Sequence, residues 1–213
     1  MLQNDSFSGC VIYIDLRGYT KIVEEKILNN IAQIIYNYQN AITKTINQLY
    51  DKDDIAAIEY MGDGVMIIIK QQVDRNYQNI DIAFANNIYK SAKTIKNVVQ
   101  NILKLEKEKY TNLDRIDFGM AISHSTIYQK NIIDDDKSNS RKMFFGVSLN
   151  RAAKIGNKMN SNKNHIGIDK PMYDDFLVNL LVEENMIKGI DPIVHMYSEN
   201  RTKPSSECIV SLK

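Results

Sequence analysis

The sequence predicts an α+β fold, a mostly antiparallel sheet with helices packed on one face. Three observations support this: short apolar runs typical of strands, two long helical repeats between them, and an Asp-Gly turn at 63–64. Their order gives a βαββαβ ferredoxin-like core with extra strands. We expect a single domain over 1–213, with its core at about 8–200, because no linker or internal repeat interrupts the pattern.

The first half of the core follows from the spacing of apolar residues. A strand at 10–15 ends on Asp15, and apolar positions then recur with helical spacing from 27 to 49. Two short strands at 55–60 and 65–69 are joined by the sequence MGDG, and Asp-Gly between apolar runs indicates a hairpin. A second long amphipathic helix is predicted from 84 to 105.

The second half of the chain has a less regular spacing of apolar residues. Residues 115–123 alternate like a strand, and we expect 126–133 to return as its hairpin partner. A polar loop at 134–142 then leads to a helix that starts near Val147. A shorter strand and helix follow from 166 to about 181, and the sequences HMYSE and CIVSL are predicted as late strands.

Composition narrows the class of protein. The formal charge of +1 indicates neither a nucleic-acid nor a membrane surface, and the longest apolar runs are too short to span a bilayer. The N-terminus does not show the order of a signal peptide. Cys10 and Cys208 lie too far apart in the sequence to suggest a disulfide framework. We therefore expect a cytoplasmic protein with reduced thiols.

Asp15 and Asp63 are the candidate chemical residues. Each also has a structural explanation, since Asp15 would cap the following helix and Asp63 would form the hairpin turn. In a βαββ unit, however, the first strand lies beside the hairpin, so both carboxylates would meet at one edge. Such a pair is costly unless a divalent cation binds between them, and the glycine-containing helix start after Asp15 favours phosphate. The pattern indicates a two-metal nucleotide site.

Three ordered motifs resemble the catalytic domain of class III nucleotidyl cyclases. The sequence YIDLRGYT matches the first metal motif and YMGDGVM the second, while FFGVSLNRAAKI matches the third except at its last position. The resemblance runs from about residue 8 to 200. It implies a homodimer with composite active sites, in which one subunit supplies the metal acids and its partner supplies the base-reading and transition-state residues.

The resemblance implies roles for the first two motifs. Asp15 and Asp63 would bind two Mn²⁺ or Mg²⁺ ions, with the Leu16 carbonyl as a further ligand. Arg17 would either reach the triphosphate of the substrate or form a surface salt bridge to Glu24 or Glu25. The β- and γ-phosphates would lie on the helix start formed by Gly18, Tyr19 and Thr20.

The third motif implies two catalytic residues. Asn150 would orient the ribose, and Lys154 stands where the family has an arginine that neutralises charge on the α-phosphate. A lysine supplies the charge without the bidentate fork, so we expect a slower enzyme or a slightly different geometry. The same departure leaves open a degenerate module that binds nucleotide or a partner without turnover.

Glu59 and Met143 fall where the family reads the base. An ionised Glu59 only accepts hydrogen bonds, so it disfavours the bare N1 of adenine and favours an N–H on the base, unless it is a solvated strand charge. Tyr13 and Met143 would shrink the cavity to pyrimidine size. With a first motif that reads Asp-Leu-Arg-Gly-Tyr, the sequence also resembles the stand-alone pyrimidine cyclases of bacterial Pycsar antiphage systems, which act on a separate effector through a cyclic nucleotide. UTP is favoured over CTP, and a soluble guanylate or adenylate cyclase is the alternative.

Overall fold

A central strand and two long helices organise the molecule. The computed structural model describes residues 5–18, 28–72, 82–110, 113, 116–133, 140–159, 166–172, 193–196 and 208–211. The first six elements, in chain order, are β1 (Asp5–Arg17), α1 (Leu28–Leu49), β2 (Ile55–Met61), β3 (Gly64–Lys70), α2 (Ile82–Lys109) and β4 (Asp117–Ile133). The others are β5 (Ser140–Phe145), α3 (Val147–Gly156), β6 (Gly167–Ile168), α4 (Lys170–Met172), β7 (Ile193–Met196) and β8 (Cys208–Ser211).

The main sheet has the strand order β2-β3-β1-β4-β5, and its ladders along this path are antiparallel. The short β6 pairs with β4 in parallel, and β7 and β8 form a separate antiparallel pair. The first six elements therefore follow the order βαββαβ, and the predicted fold class is confirmed. The predicted late strands are present as β7 and β8.

Both faces of β1 are covered, which explains why this strand is an almost continuous apolar run. Ile12, Ile14 and Leu16 belong to the larger core, which α1 and α2 complete on one face of the sheet. Val11 and Tyr13 point to the opposite face, where Ala152 of α3 packs beside them. The two long helices thus share the predicted face, and the short α3 lies on the other.

The hairpin predicted for 126–133 is wrong. These residues continue β4 as one strand of 17 residues. The reason lies in β1, which begins at Asp5 and not at residue 10, so that Asp5 pairs with Gln129 and Gly9 with Ser125. The last part of β4 then pairs with β5, which begins inside the stretch 134–142 that the sequence predicted as a loop. Pairing with β1 on one side, and with β5 over its last six residues on the other, keeps β4 extended.

None of the described helices is apolar enough along its length to cross a bilayer. Residues 173–192, which include the end of the predicted late helix, lie outside the described residues.

Candidate active site

Asp15 and Asp63 lie at the same edge of the sheet. Asp15 is near the end of β1, directly opposite Gly64 of β3, and Asp63 is in the turn just before Gly64. A Cβ on Gly64 would lie 3.3 Å from Asp15 Oδ1 and 3.4 Å from Tyr13 Oη, so the missing side chain leaves room for both groups. The hairpin turn therefore places its carboxylate beside the end of the neighbouring strand, as the sequence predicted.

The electrostatics of this edge favour a bound cation. Burial, and then the negative charge of Asp63, raises the pKa of Asp15, although Arg17 and a hydrogen bond from Tyr13 oppose the shift. Burial also raises the pKa of Asp63. For Tyr13, burial and the charge of Asp15 raise the pKa to about 12, so its hydroxyl remains a proton donor at neutral pH. Two carboxylates held together against their repulsion are suited to a divalent cation.

Helix α1 holds the hairpin turn in place. Gln39 Nε2 donates a hydrogen bond to the Gly62 carbonyl over 2.8 Å, and the hydroxyls of Thr43 and Tyr60 lie 2.5 Å apart. Gly62 has a φ of 65°, which side chains other than glycine rarely adopt. These contacts fix the backbone on the residue before Asp63, and so they limit where its carboxylate can lie.

Tyr38 of α1 is fully buried beneath the acids. Its hydroxyl has no hydrogen-bond partner among the residues that the structure describes. Burial, followed by the charges of Asp15 and Asp63, raises its pKa well above the ordinary value. The hydroxyl therefore stays protonated, and it is a donor that nothing in the described protein uses.

Arg17 follows Asp15 by two residues and points to the same face. Its Nη1 lies 3.4 Å from Asp15 Oδ2 and 3.3 Å from Asn157 Oδ1. Its Nη2 donates a 2.5 Å hydrogen bond to the carbonyl of Gly156, the last residue of α3. Among the described residues, the guanidinium thus forms an ion pair with Asp15. Glu24 and Glu25, which the sequence suggested as partners for a surface salt bridge, lie outside the described residues.

A second feature, on the face of the sheet that α3 covers, is an open cavity of about 460 Å³. It brings together four residues that the sequence assigned to the substrate or to catalysis: Tyr13, Glu59, Met143 and Asn150. Apolar side chains of β2, β3, β5 and α3 line the rest, and Lys142 adds a cation that the sequence analysis missed. Lys142 carried no signal, because it fell in a stretch interpreted as a polar loop.

Helix α3 carries Asn150 and, one turn later, the exposed Lys154. Residues four apart lie on the same side of a helix, so both can face one ligand. Lys154 is not among the residues that line the cavity. An ion pair anchors the helix: Arg151 Nη1 lies 3.7 Å from the fully buried Asp169 carboxylate.

The remaining predicted residues are placed in part. The Leu16 side chain is buried in the core, which leaves its backbone carbonyl as the group that would bind metal. Gly18 bends the chain after β1 with a φ of 78°. Tyr19 and Thr20 lie outside the described residues. In the described part of the chain, no three histidine, cysteine or acidic side chains cluster as a metal site, so the candidate ligands are two carboxylates and a carbonyl.

Comparison with known proteins supports the fold. No protein-family profile and no curated protein sequence matches this chain. Among solved structures, the adenylyl cyclase CyaB from P. aeruginosa has a TM-score of 0.71 at 15% identity, covering 99% of this chain and 95% of that chain. The guanylyl cyclase Cya2 has a TM-score of 0.68 at 14% identity, covering 99% of this chain and 93% of that chain.

A third similar structure is described as a class III adenylyl cyclase-like ATP-binding protein from Pseudomonas aeruginosa. It has a TM-score of 0.67 at 11% identity and covers 84% of this chain and 37% of that chain. At these identities the likeness establishes the fold: this chain has the α+β fold of adenylyl and guanylyl cyclase domains. A fold alone does not determine the reaction, which depends on the residues of the site.

Proposed function

We propose that this protein is a nucleotidyl cyclase that converts a pyrimidine nucleoside triphosphate, UTP or CTP, to the 3′,5′-cyclic nucleotide and pyrophosphate. The observation that carries the proposal is the pairing of Asp15 and Asp63 at one edge of a cyclase-like sheet. In the reaction, the ribose 3′ oxygen bonds to the α-phosphorus and loses its proton, and the bond from that phosphorus to pyrophosphate breaks.

Asp15, Asp63 and the Leu16 carbonyl are oxygen donors of the kind that Mg²⁺ and Mn²⁺ prefer. Two such ions, when bound, would lower the pKa of the 3′-hydroxyl and neutralise the triphosphate. The protein contributes by holding the two carboxylates close together and half-buried, and Tyr13 hydrogen-bonds to Asp15 there. As the resemblance implies, Gly18, Tyr19 and Thr20 would bind the β- and γ-phosphates.

Asn150 and Lys154 would act on the sugar and the α-phosphate. Asn150 offers both a donor and an acceptor to orient the ribose, and Lys154 offers a positive charge that counts most when charge develops on the α-phosphate. By the family resemblance, Asn150 and Lys154 of one subunit would complete the site that Asp15 and Asp63 of the partner subunit begin in a homodimer. Met61 and Phe145, which are 45% and 46% exposed, supply apolar surface on strands of this chain for such contact.

Glu59 and Met143 would choose the base. Glu59 is exposed at the cavity, where a carboxylate can accept from the N3–H of uracil or the N4 amino group of cytosine. Tyr13 and Met143 both line this cavity, where their bulk would favour the smaller pyrimidine ring. UTP is the preferred candidate because the N3–H of uracil is a donor that suits Glu59 as an acceptor. We further propose, from the resemblance to Pycsar cyclases, that the cyclic nucleotide activates a separate effector in the cytoplasm during phage infection.

The test is to incubate the pure protein with each of ATP, GTP, UTP and CTP in Mn²⁺ and to quantify cyclic nucleotide and pyrophosphate. We expect cyclic UMP or cyclic CMP as the main product, and no product from the Asp63→Ala variant. A main product of cyclic GMP or cyclic AMP would keep the cyclase and overturn the pyrimidine assignment.

Binding without turnover is the second candidate function, because Lys154 replaces the expected arginine and one similar structure is an ATP-binding protein. In the same experiment, this candidate predicts no product from any of the four nucleotides, together with nucleotide binding that survives in the Lys154→Arg variant. Product formation by the wild-type protein would rule it out.

A further inference from the structure

Arg17 joins two parts of the molecule that are far apart in the sequence. One edge of its guanidinium faces the Asp15 carboxylate, and the same group donates to the Gly156 carbonyl and the Asn157 side chain at the end of α3. The planar fork of arginine can hold several acceptors at fixed angles, which an ammonium cannot. One side chain therefore bridges the metal acid of β1 and the helix that carries Asn150 and Lys154.

The structure leaves a space for this bridge. Gly119 of β4 lies directly opposite Asp15, and a Cβ there would lie 2.7 Å from Arg17 Nη2 and 2.1 Å from the Gly156 carbonyl oxygen. A side chain at 119 would clash with both groups and displace the guanidinium and the end of the helix. The glycine near the start of β4 thus permits the close approach of Arg17 to α3.

The end of α3 is also an electrostatic partner for a cation. Carbonyls in the last turn of a helix lack intrahelical partners and carry partial negative charge. Arg17 therefore lies between two negative groups, the Asp15 carboxylate on one side and the carbonyl end of α3 on the other. Arginine stays charged at every relevant pH, so the balance between the two groups changes only when the charge at Asp15 changes.

We propose that Arg17 is a positioning residue that couples cation binding at Asp15 to the position of α3. The proposal rests on the proposed function, since it gives Arg17 a role in ordering Asn150 and Lys154 and not in contacting the triphosphate. A divalent cation at Asp15 repels the guanidinium, which then interacts more strongly with Gly156 and Asn157. The last turn of α3 becomes more ordered once the acids are loaded.

The test measures two quantities without nucleotide: the Kd for Mn²⁺ by calorimetry, and amide hydrogen exchange in the last turn of α3 with and without Mn²⁺. In the wild type we expect Mn²⁺ to slow exchange there. Arg17→Gln removes a cation beside Asp15, so we expect Mn²⁺ to bind about threefold to tenfold more tightly. The same variant should exchange faster in the last turn and should not respond to Mn²⁺.

Two further variants separate charge from bridging. Arg17→Lys keeps the positive charge, so its Kd for Mn²⁺ should stay near the wild-type value, while the Mn²⁺-dependent slowing of exchange is reduced. Arg151→Gln is the control, because it loosens α3 at the Asp169 ion pair and changes neither Arg17 nor the acids. It should speed exchange in α3 and leave the Kd for Mn²⁺ unchanged.

The proposal is overturned if Arg17→Gln binds Mn²⁺ as the wild type does, or if Mn²⁺ slows exchange equally in both. If Arg17→Gln does not fold, Arg17→Lys decides alone: reduced slowing with a wild-type Kd supports the coupling, and full slowing contradicts it. Failure of the proposed function looks different, since it gives no cyclic product while the Mn²⁺ and exchange results remain readable.

Discussion

Two regions differ in how firmly the protein holds them. The acid edge consists of Asp15, Asp63 and the hairpin turn that carries Asp63, and the base cavity is lined by Tyr13, Glu59, Met143 and Asn150. The acid edge is half-buried, and side chains of α1 hold its turn. The base cavity is open, and Met143 remains 37% exposed. This difference indicates that metal binding depends on an edge held firmly within one chain, whereas the open cavity leaves room for the second subunit of the proposed homodimer.

The largest effect is expected from removing either acid. Asp15→Ala and Asp63→Ala should each lower cyclase activity by about a thousandfold or more, because the two-metal site loses a ligand. The fold should remain intact, since two repelling charges become one. Initial rates with Mn²⁺ and circular dichroism measure both effects, and Asp51→Ala, an exposed acid beyond α1, is the control. Near-normal activity in either variant would contradict the metal assignment.

Lys154 should give the next largest effect. Lys154→Ala should lose about a hundredfold in kcat with little change in KM, as expected for a contact that forms in the transition state. Lys154→Arg should be as fast as the wild type or faster. Steady-state kinetics measure both, with Lys104→Ala on α2 as the control. A change confined to KM would show that Lys154 binds the ground state.

A smaller change is expected at the base cavity. Glu59→Lys exchanges an acceptor for a donor, so it should raise the use of ATP relative to the native substrate by about five- to a hundredfold. Competition between pairs of nucleotides measures the ratio. Glu108→Lys makes the same charge change on α2, away from the cavity, and should leave the ratio unchanged. If both variants keep the wild-type preference, Glu59 does not read the base.

The smallest effect concerns stability beneath the acid edge. Tyr38→Phe removes a buried hydroxyl that has no partner among the described residues, so the free energy of unfolding should rise by up to about 1 kcal/mol. Tyr50→Phe is the matched control, because its hydroxyl pairs with Ser91 over 2.8 Å, and it should destabilise the protein. Urea denaturation without metal measures both. Equal destabilisation would mean that the Tyr38 hydroxyl has a partner in solution.

Local patterns predicted most of the fold. Helical spacing gave α1 and α2 within a few residues, and the Asp-Gly pair gave the hairpin, because both signals lie within a short stretch of chain. The length of β4 could not be predicted in this way, since it depends on pairing with the far end of β1. The hairpin predicted for 126–133 failed for that reason.

In the candidate site, too, local motifs were predictable and long-range contacts were not. Asp15 and Asp63 were found from short motifs, but the contact of Arg17 with Gly156 joins residues 139 positions apart and left no local pattern. One signal was present, because a glycine inside a strand often marks a close approach, and Gly119 is such a residue. The phosphate roles of Tyr19 and Thr20 stay predictions, as these residues lie outside the described part of the chain.

The central claim is that the acid edge of one chain works with Asn150 and Lys154 of its partner. The most direct measurement mixes the inactive variants Asp15→Ala and Asn150→Ala and allows subunits to exchange. A mixed dimer then has one site with both lesions and one with neither, so activity should recover to roughly a quarter of wild type when half the dimers are mixed. A mixture that stays inactive despite demonstrated exchange would contradict the shared site and confine the mechanism to one chain.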